Sequence, residues 1–280
     1  MERYAEKWKQ NTEQAMPRSP SPKKNHFLAA LPADIQDRLF PHLELTPLPF
    51  GKILYETGDT VREVYFPTDA IVSLLYKMQS GESAGISMVG NEGLVGVGLI
   101  MGEDITSNRV IVQSAGNSYR LPSQHLTDEF NRHGDLLLLS LLYAQTVITQ
   151  MAQTVVCNRH HSIEQQLCRW LLMSLDRLPG NRSTMAVTQK LIANMLGVRR
   201  EGITDATGKL QKRGVIEHSR GHITVLSRPG LEQTCCECYT VVKKETDRLL
   251  PFVSAKERDL RSNSIQTAPS IKATSTASKR

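Results

Sequence analysis

The spacing of apolar residues changes along the chain, and each change marks a new element. From about Phe50, short runs rich in β-branched and aromatic residues follow one another: Ile53-Leu54-Tyr55, Val64-Tyr65-Phe66-Pro67, Ile71 to Tyr76, Ile86 to Val89, and Val110 to Val112. Turn formers separate them, including Thr57-Gly58-Asp59 and Ser80-Gly81-Glu82. Short strands punctuated by Gly-containing turns predict a β-sandwich or roll.

A helical period takes over at Asp135. Leu137, Leu141, Ala144, Ile148, Met151 and Val155 recur at alternating intervals of four and three. That spacing predicts a helix over about 135–156 whose apolar seam either pairs with a parallel copy or packs on its own domain. A second helix is predicted from Ser162, whose hydroxyl and Gln165 have the spacing of a capping box. Ile163, Leu167, Trp170, Leu171, Leu175 and Leu178 form its apolar face, and Pro179-Gly180 ends it.

The third stretch is the most informative. Thr188 can N-cap a helix that buries Leu191, Ile192, Met195 and Leu196, with small Ala193 allowing a close crossing. Gly197 supplies a turn that needs positive φ, Val198 fills the space between helices, and a second helix runs from about Arg199 to Arg213. Ile203, Ala206 and Leu210 face inward, and Gly214 stops it. Two strands, Val215-Ile216 and Ile223 to Leu226, flank Ser219-Arg220-Gly221-His222 as a wing. This is the layout of a winged helix-turn-helix.

Charge reinforces the division. Residues 26–156 carry seven Lys/Arg against fourteen Asp/Glu, whereas residues 157–230 carry twelve against five. A basic balance over the winged unit fits a polyanion partner. On the outward face, Arg199, Arg200, Glu201, Thr204 and Asp205 are candidates to reach base edges; Arg pairs bidentately with guanine and Glu accepts from cytosine. Thr188, Lys209, Lys212, Arg213 and Arg220 are candidate phosphate contacts, with Arg199 able to serve there too.

Other features limit the reading. No run approaches the roughly 18 consecutive apolar residues of a membrane span, and Met1 to Gln10 has no signal-peptide core. A cytoplasmic protein with no membrane association is expected. No G-x-S-x-G, H-E-x-x-H or Walker sequence is present, so an enzyme is not expected. Five cysteines form no disulfide framework. Cys157 and Cys168 stand alone, and Cys235, Cys236 and Cys238 cluster. Zinc normally takes four ligands and no second CxxC accompanies the cluster. The expectation is therefore small thiols packed near Tyr239 and Val242, with no metal and no cofactor. His160-His161 reads as linker or surface.

The order of parts resembles the Crp/Fnr family of bacterial transcription regulators over about residues 27–250. The most specific stretch is 188–203, TQKLIANMLGVRREGI. In the family an Arg-Glu pair opens the recognition helix, and Arg200 and Glu201 fall on it. A further Arg often follows four residues after the Glu; here that position is Asp205, which implies a different base preference. The resemblance implies a cyclic-nucleotide-binding-like roll at 26–134, a dimerisation helix at 135–157 and a winged helix-turn-helix at 158–230. A C-terminal helix is expected at 231–253, and disordered tails at 1–25 and 254–280.

The family's phosphate cassette matches residues 90–99, GNEGLVGVGL, through to Arg109. Glu92, Gly96, Gly98 and Arg109 are the candidate effector residues. Val97 stands where the ribose-binding Glu would be, and the phosphate-binding Arg position falls near Ile105 or Thr106. Cyclic AMP is therefore not the expected ligand, because an unpaired buried phosphate is costly. The resemblance implies an α+β homodimer that binds promoter DNA, with RNA polymerase and an unidentified small-molecule effector as further partners. The rival reading is a protein-interaction module that uses the winged helix as a docking surface.

Overall fold

A computed structural model describes residues 21–250 apart from Asn181 and Arg220. The readings for the extreme tails and for Arg220 lie outside the described residues. The N-terminal half begins with two short helices, α1 (His26–Ala30) and α2 (Ala33–Leu39). Seven strands follow: β1 (Glu44–Leu48), β2 (Ile53–Tyr55), β3 (Glu63–Pro67), β4 (Ile71–Lys77), β5 (Ser83–Val89), β6 (Arg109–Ser114) and β7 (Gly116–Pro122). They make two antiparallel sheets, β1-β7-β3 and β2-β6-β4-β5. Helices α3 (Ser123–Phe130) and α4 (Asp135–His160) complete this half.

Strand alternation explains the layering. On β3, Tyr65 turns to the core between the sheets with Tyr55, Val72 and Val112. Its neighbours Val64 and Phe66 turn the other way, against Phe27, Leu28, Tyr143 and Val147. A strand buried on both faces reads as an unbroken apolar run, as 64–67 does. Two strands escape the sequence reading, β1 and β7. Their residues are largely polar, with Pro47 in one and Asn117, Ser118 and Arg120 in the other.

The N-terminal boundary also moves. Asn25, expected in a disordered tail, is fully buried. Its amide donates to the carbonyls of Pro67 (2.9 Å) and Gly93 (2.8 Å), and its side-chain oxygen accepts from the Leu28 amide (3.0 Å), capping α1. One polar side chain thus pins the first helix to the roll, a link that composition does not reveal.

Helix α4 lies along the roll. Gly93 allows this approach, since a Cβ there would stand 2.0 Å from the Tyr143 ring, and the Tyr143 hydroxyl donates to the Leu94 carbonyl at 3.0 Å. Gln150 acts as a substitute strand for β5. Its oxygen accepts from the Met88 amide (2.8 Å) and its NH2 donates to the Met88 carbonyl (3.2 Å). By length and composition α4 is apolar enough to cross a membrane. Its apolar residues are instead divided between the face on the roll and an exposed stripe.

The C-terminal half contains α5 (Ile163–Leu175), β8 (Thr184–Ala186), α6 (Gln189–Leu196), α7 (Arg200–Lys212), β9 (Ile216–Ser219), β10 (His222–Val225), α8 (Arg228–Thr234) and α9 (Cys238–Leu249). The Ser162–Gln165 capping box forms as expected. Helices α5, α6 and α7 share one core, built on Leu167, Leu171, Ile192, Leu196, Ile203 and Leu210. The C-terminal segment expected as a single helix is two, broken at Cys235, whose extended backbone ends α8. Helix α9 then packs back along α4, with Leu249 and Leu250 joining the core beneath it.

Candidate nucleic-acid interface

Thr188 and Gly197 fix the helix-turn-helix locally. The Thr188 hydroxyl accepts from the Leu191 amide (3.1 Å), capping α6. Gly197 ends the helix at φ +65°, a conformation that costs a residue with a Cβ on the order of 1 kcal/mol. Val198 packs half-buried on the shared core, and Arg199 in extended backbone turns the chain into α7. Ile203, Ala206, Thr207 and Leu210 of α7 are buried. The opposite face carries Arg199, Arg200, Glu201, Thr204, Asp205, Lys209 and Lys212, all exposed.

These candidates differ in what else they touch. Arg199, Arg200 and Glu201 sit together on the leading turn and project into solvent. The N-terminal end of a helix adds its own positive field there. Thr204 donates back to the Arg200 carbonyl (3.1 Å) and lies 3.2 Å from Gln189 of α6. Asp205 pairs with Lys209 at 2.8 Å, which raises the lysine pKa through that hydrogen bond and its charge. Arg213 pairs with Glu164 of α5 rather than standing free. Of the C-terminal phosphate candidates on α7, Lys212 is exposed and has no ion-pair partner among the described residues. The wing forms as a three-stranded sheet, β8-β10-β9, with Gly221 at φ +78° in its turn. Strand β8 is three residues long and was not legible in the sequence.

The two charged cassette residues are each engaged by another side chain. Glu92 is buried and pairs with Arg177 at the end of α5 (2.7 Å), while also accepting from the Gly90 amide (3.0 Å). Arg109 makes a two-pronged pair with Glu56 (2.7 and 2.8 Å). That pair holds the Glu56 carboxyl below its ordinary pKa and raises that of Arg109. Gly96 adopts φ +111° and opens the short helical turn Val97–Met101, which contains Gly98. A shallow cleft lies beside Glu92, but its walls are Arg177, Tyr239, Val242 and neighbours, not Gly96, Gly98 or Arg109.

The expected seam of α4 is rotated. Leu141, Ile148 and Val155 are exposed, as a pairing face requires, but Ala144 is buried and Met151 packs into the roll. The exposed apolar stripe instead combines Leu138 (60% exposed) with Leu141, Ile148, Ala152 and Val155. Both faces of α4 are apolar, so a spacing of three and four fits either one.

The two halves meet closely. A Cβ on Gly85 of β5 would stand 2.7 Å from the Met195 carbonyl oxygen of α6, so the first helix of the motif rests on the roll. Helix α4 reaches α5 through only His161 and Ser162. Cys168 is buried in the shared core, where desolvation pushes its thiol up to about 12, the mark of a structural cysteine.

A roll, a long helix and a winged helix-turn-helix on one chain are the architecture that the resemblance in the sequence implies. Comparison bears out the resemblance. Residues 165–234 match the Crp-like helix-turn-helix domain family. The Global nitrogen regulator of Synechocystis is 24% identical over 192 residues, covering 65% of this chain and 84% of that protein. A Eubacterium rectale protein assigned to the Crp/Fnr family of transcriptional regulators superposes with a TM-score of 0.58 at 16% identity, covering 74% of this chain and 95% of that one. FixK2 of Bradyrhizobium japonicum gives 0.58 at 11% identity, covering 69% and 98%. At these identities the structural likeness establishes the fold.

Proposed function

We propose that the protein is a homodimeric, sequence-specific transcription regulator whose recognition helix is α7. One observation carries this reading: Arg199, Arg200 and Glu201 stand exposed on the leading turn of a helix held rigidly in a basic winged unit. In this reading Arg200 and Glu201 read base edges, Thr204 and Asp205 limit the neighbouring positions, and Thr188 and Lys212 hold phosphates. The exposed stripe Leu138, Leu141, Ile148, Ala152 and Val155 supports pairing of α4 with a second copy. Two recognition helices then meet half-sites about one helical turn apart. The protein acts in the cytoplasm on promoter DNA, and RNA polymerase is the partner through which binding changes transcription.

The roll is proposed to have lost cyclic-AMP binding. Its one cassette cation, Arg109, is already satisfied by Glu56, and Glu92 is occupied with Arg177. An effector of other chemistry would act by shifting α4 against the roll.

The test uses operator DNA recovered by genome-wide immunoprecipitation. Arg200→Ala is expected to weaken binding to that operator by about 1–3 kcal/mol, roughly 5- to 150-fold, while leaving affinity for unrelated DNA unchanged. An equal loss on every DNA would refute base reading by Arg200. A wild-type protein that shifts no DNA at low salt would favour the docking-module reading instead.

A further inference from the structure

The cysteine cluster beyond the wing does not stand alone in the folded chain. Cys157 and His161 are four residues apart and so share one face at the end of α4. Cys236 and Cys238 flank Glu237 where α8 passes into α9. Packing of α9 against α4 brings these two pairs together. The Cys157 and Cys236 Sγ atoms are 3.6 Å apart, and Cys238 Sγ is 3.4 Å from His161 Nδ1. All four ligand atoms lie within 4.8 Å of one another.

We infer that Cys157, His161, Cys236 and Cys238 form a closed tetrahedral site for one zinc ion, fastening the C-terminal helix to the end of the long helix. Zn–S bonds of about 2.3 Å and Zn–N bonds of about 2.0–2.1 Å at tetrahedral angles place ligand atoms roughly 3.5–3.8 Å apart. The 3.6 Å and 3.4 Å separations fall near that range before any ion draws the set inward. The distances are too long for a disulfide, whose sulfurs sit about 2.05 Å apart. They are also too short for an iron–sulfur cluster, in which several iron and sulfide atoms lie between the cysteine sulfurs. Three thiolates and an imidazole are the soft donor set that selects zinc over magnesium or calcium.

The surroundings support the ligands as a metal site requires. His161 Nε2, on the far side of the ring, lies 3.3 Å from the Glu237 carboxylate. That contact fixes the tautomer that leaves Nδ1 able to coordinate. The Gln153 amide donates to Cys238 Sγ at 3.1 Å. Buried Arg169 stands beside Cys157, bonded to Thr154 at 2.5 Å, and its Nε has no hydrogen-bond partner among the described residues. A zinc ion with three thiolates carries one net negative charge, which the Arg169 guanidinium offsets. Cys157 and Cys238 are fully buried and Cys236 nearly so, which leaves no open coordination position for a substrate. The site is therefore structural, at the two-residue joint between α4 and the DNA-binding unit. Half-buried Cys235 and buried Cys168 lie outside it.

Full-length protein, purified under reducing conditions without a polyhistidine tag, should contain about one zinc per chain by elemental analysis. Cys238→Ser and Cys157→Ser should lose the metal, and Cys235→Ser should keep it. Because a ligand variant can misfold, a second measurement uses the wild-type chain alone. Stripping the metal and titrating cobalt(II) should give the intense visible bands of a tetrahedral thiolate site, displaced stoichiometrically by zinc. Neither readout depends on DNA binding, so the inference can fail while the proposed function survives. Metal-free wild-type protein with a featureless cobalt titration would overturn it. So would acid-labile sulfide in the purified protein, or a Cys157–Cys236 disulfide under the same reducing conditions.

Discussion

The roll and the winged unit handle their charged groups in opposite ways. In the roll, three arginines are consumed internally: Arg38 grips buried Glu129 at 2.7 and 2.8 Å, Arg109 grips Glu56, and Arg120 spans Glu44 and Glu63. In the winged unit, Arg199 and Arg200 extend from a helix end into water, with Glu201 as their only close acidic neighbour in the first turn. Domain net charge alone does not separate these cases. Even within the basic unit, Lys209 and Arg213 are held by Asp205 and Glu164. An arginine is available to a polyanion only where no carboxylate has already met it, and here that condition holds at the leading turn of α7.

The comparison can be broken most forcefully at the joint both halves share. Replacing Leu141 and Ile148 with Glu puts like charges on the exposed stripe of α4. Sedimentation should then show a monomer, and operator affinity should fall by about 100-fold or more as two linked half-sites become independent. A dimer that survives both substitutions would place the pairing surface elsewhere.

A moderate effect sharpens the charge argument. Lys212→Ala should weaken binding to all sequences several-fold and reduce the slope of log affinity against log salt by about one. Lys209→Ala should change that slope by less, since Asp205 already balances the charge. Equal slopes for the two variants would show that Asp205 swings away in the complex. The smallest effect belongs to the roll. Arg109→Ala removes a half-exposed ion pair and should lower stability by at most about 1 kcal/mol. Cyclic AMP should release no saturable heat with either the wild type or this variant. A micromolar isotherm lost in the variant would restore Arg109 as a phosphate ligand.

Legibility in the sequence followed the range of the interactions involved. The motif at 188–213 and the capping box at Ser162 are set by neighbours a few residues apart, and spacing revealed them. The strands with unbroken apolar runs were equally plain. Strands β1 and β7 were hidden because their polar sequences pair only through long-range backbone bonds, such as Glu44 opposite Arg120. The seam of α4 was mis-phased because Met151 and Ala144 fit the heptad as well as Leu138 and Ala152 do. The partners of Cys236 and Cys238 lie about eighty residues upstream, a separation no local spacing rule spans. The engagements of Glu92 and Arg109 were missed for the same reason.

Two residues, His161 and Ser162, are all that separate α4 from α5, and both are held, one by Cys238 and Glu237 and the other by its capping box. A coupling this short works like a drive shaft without backlash. In the proposed reading, a shift of the roll against α4 would reach the winged unit through this joint with little slack, so lengthening it by a few glycines should weaken any influence of the roll on DNA binding.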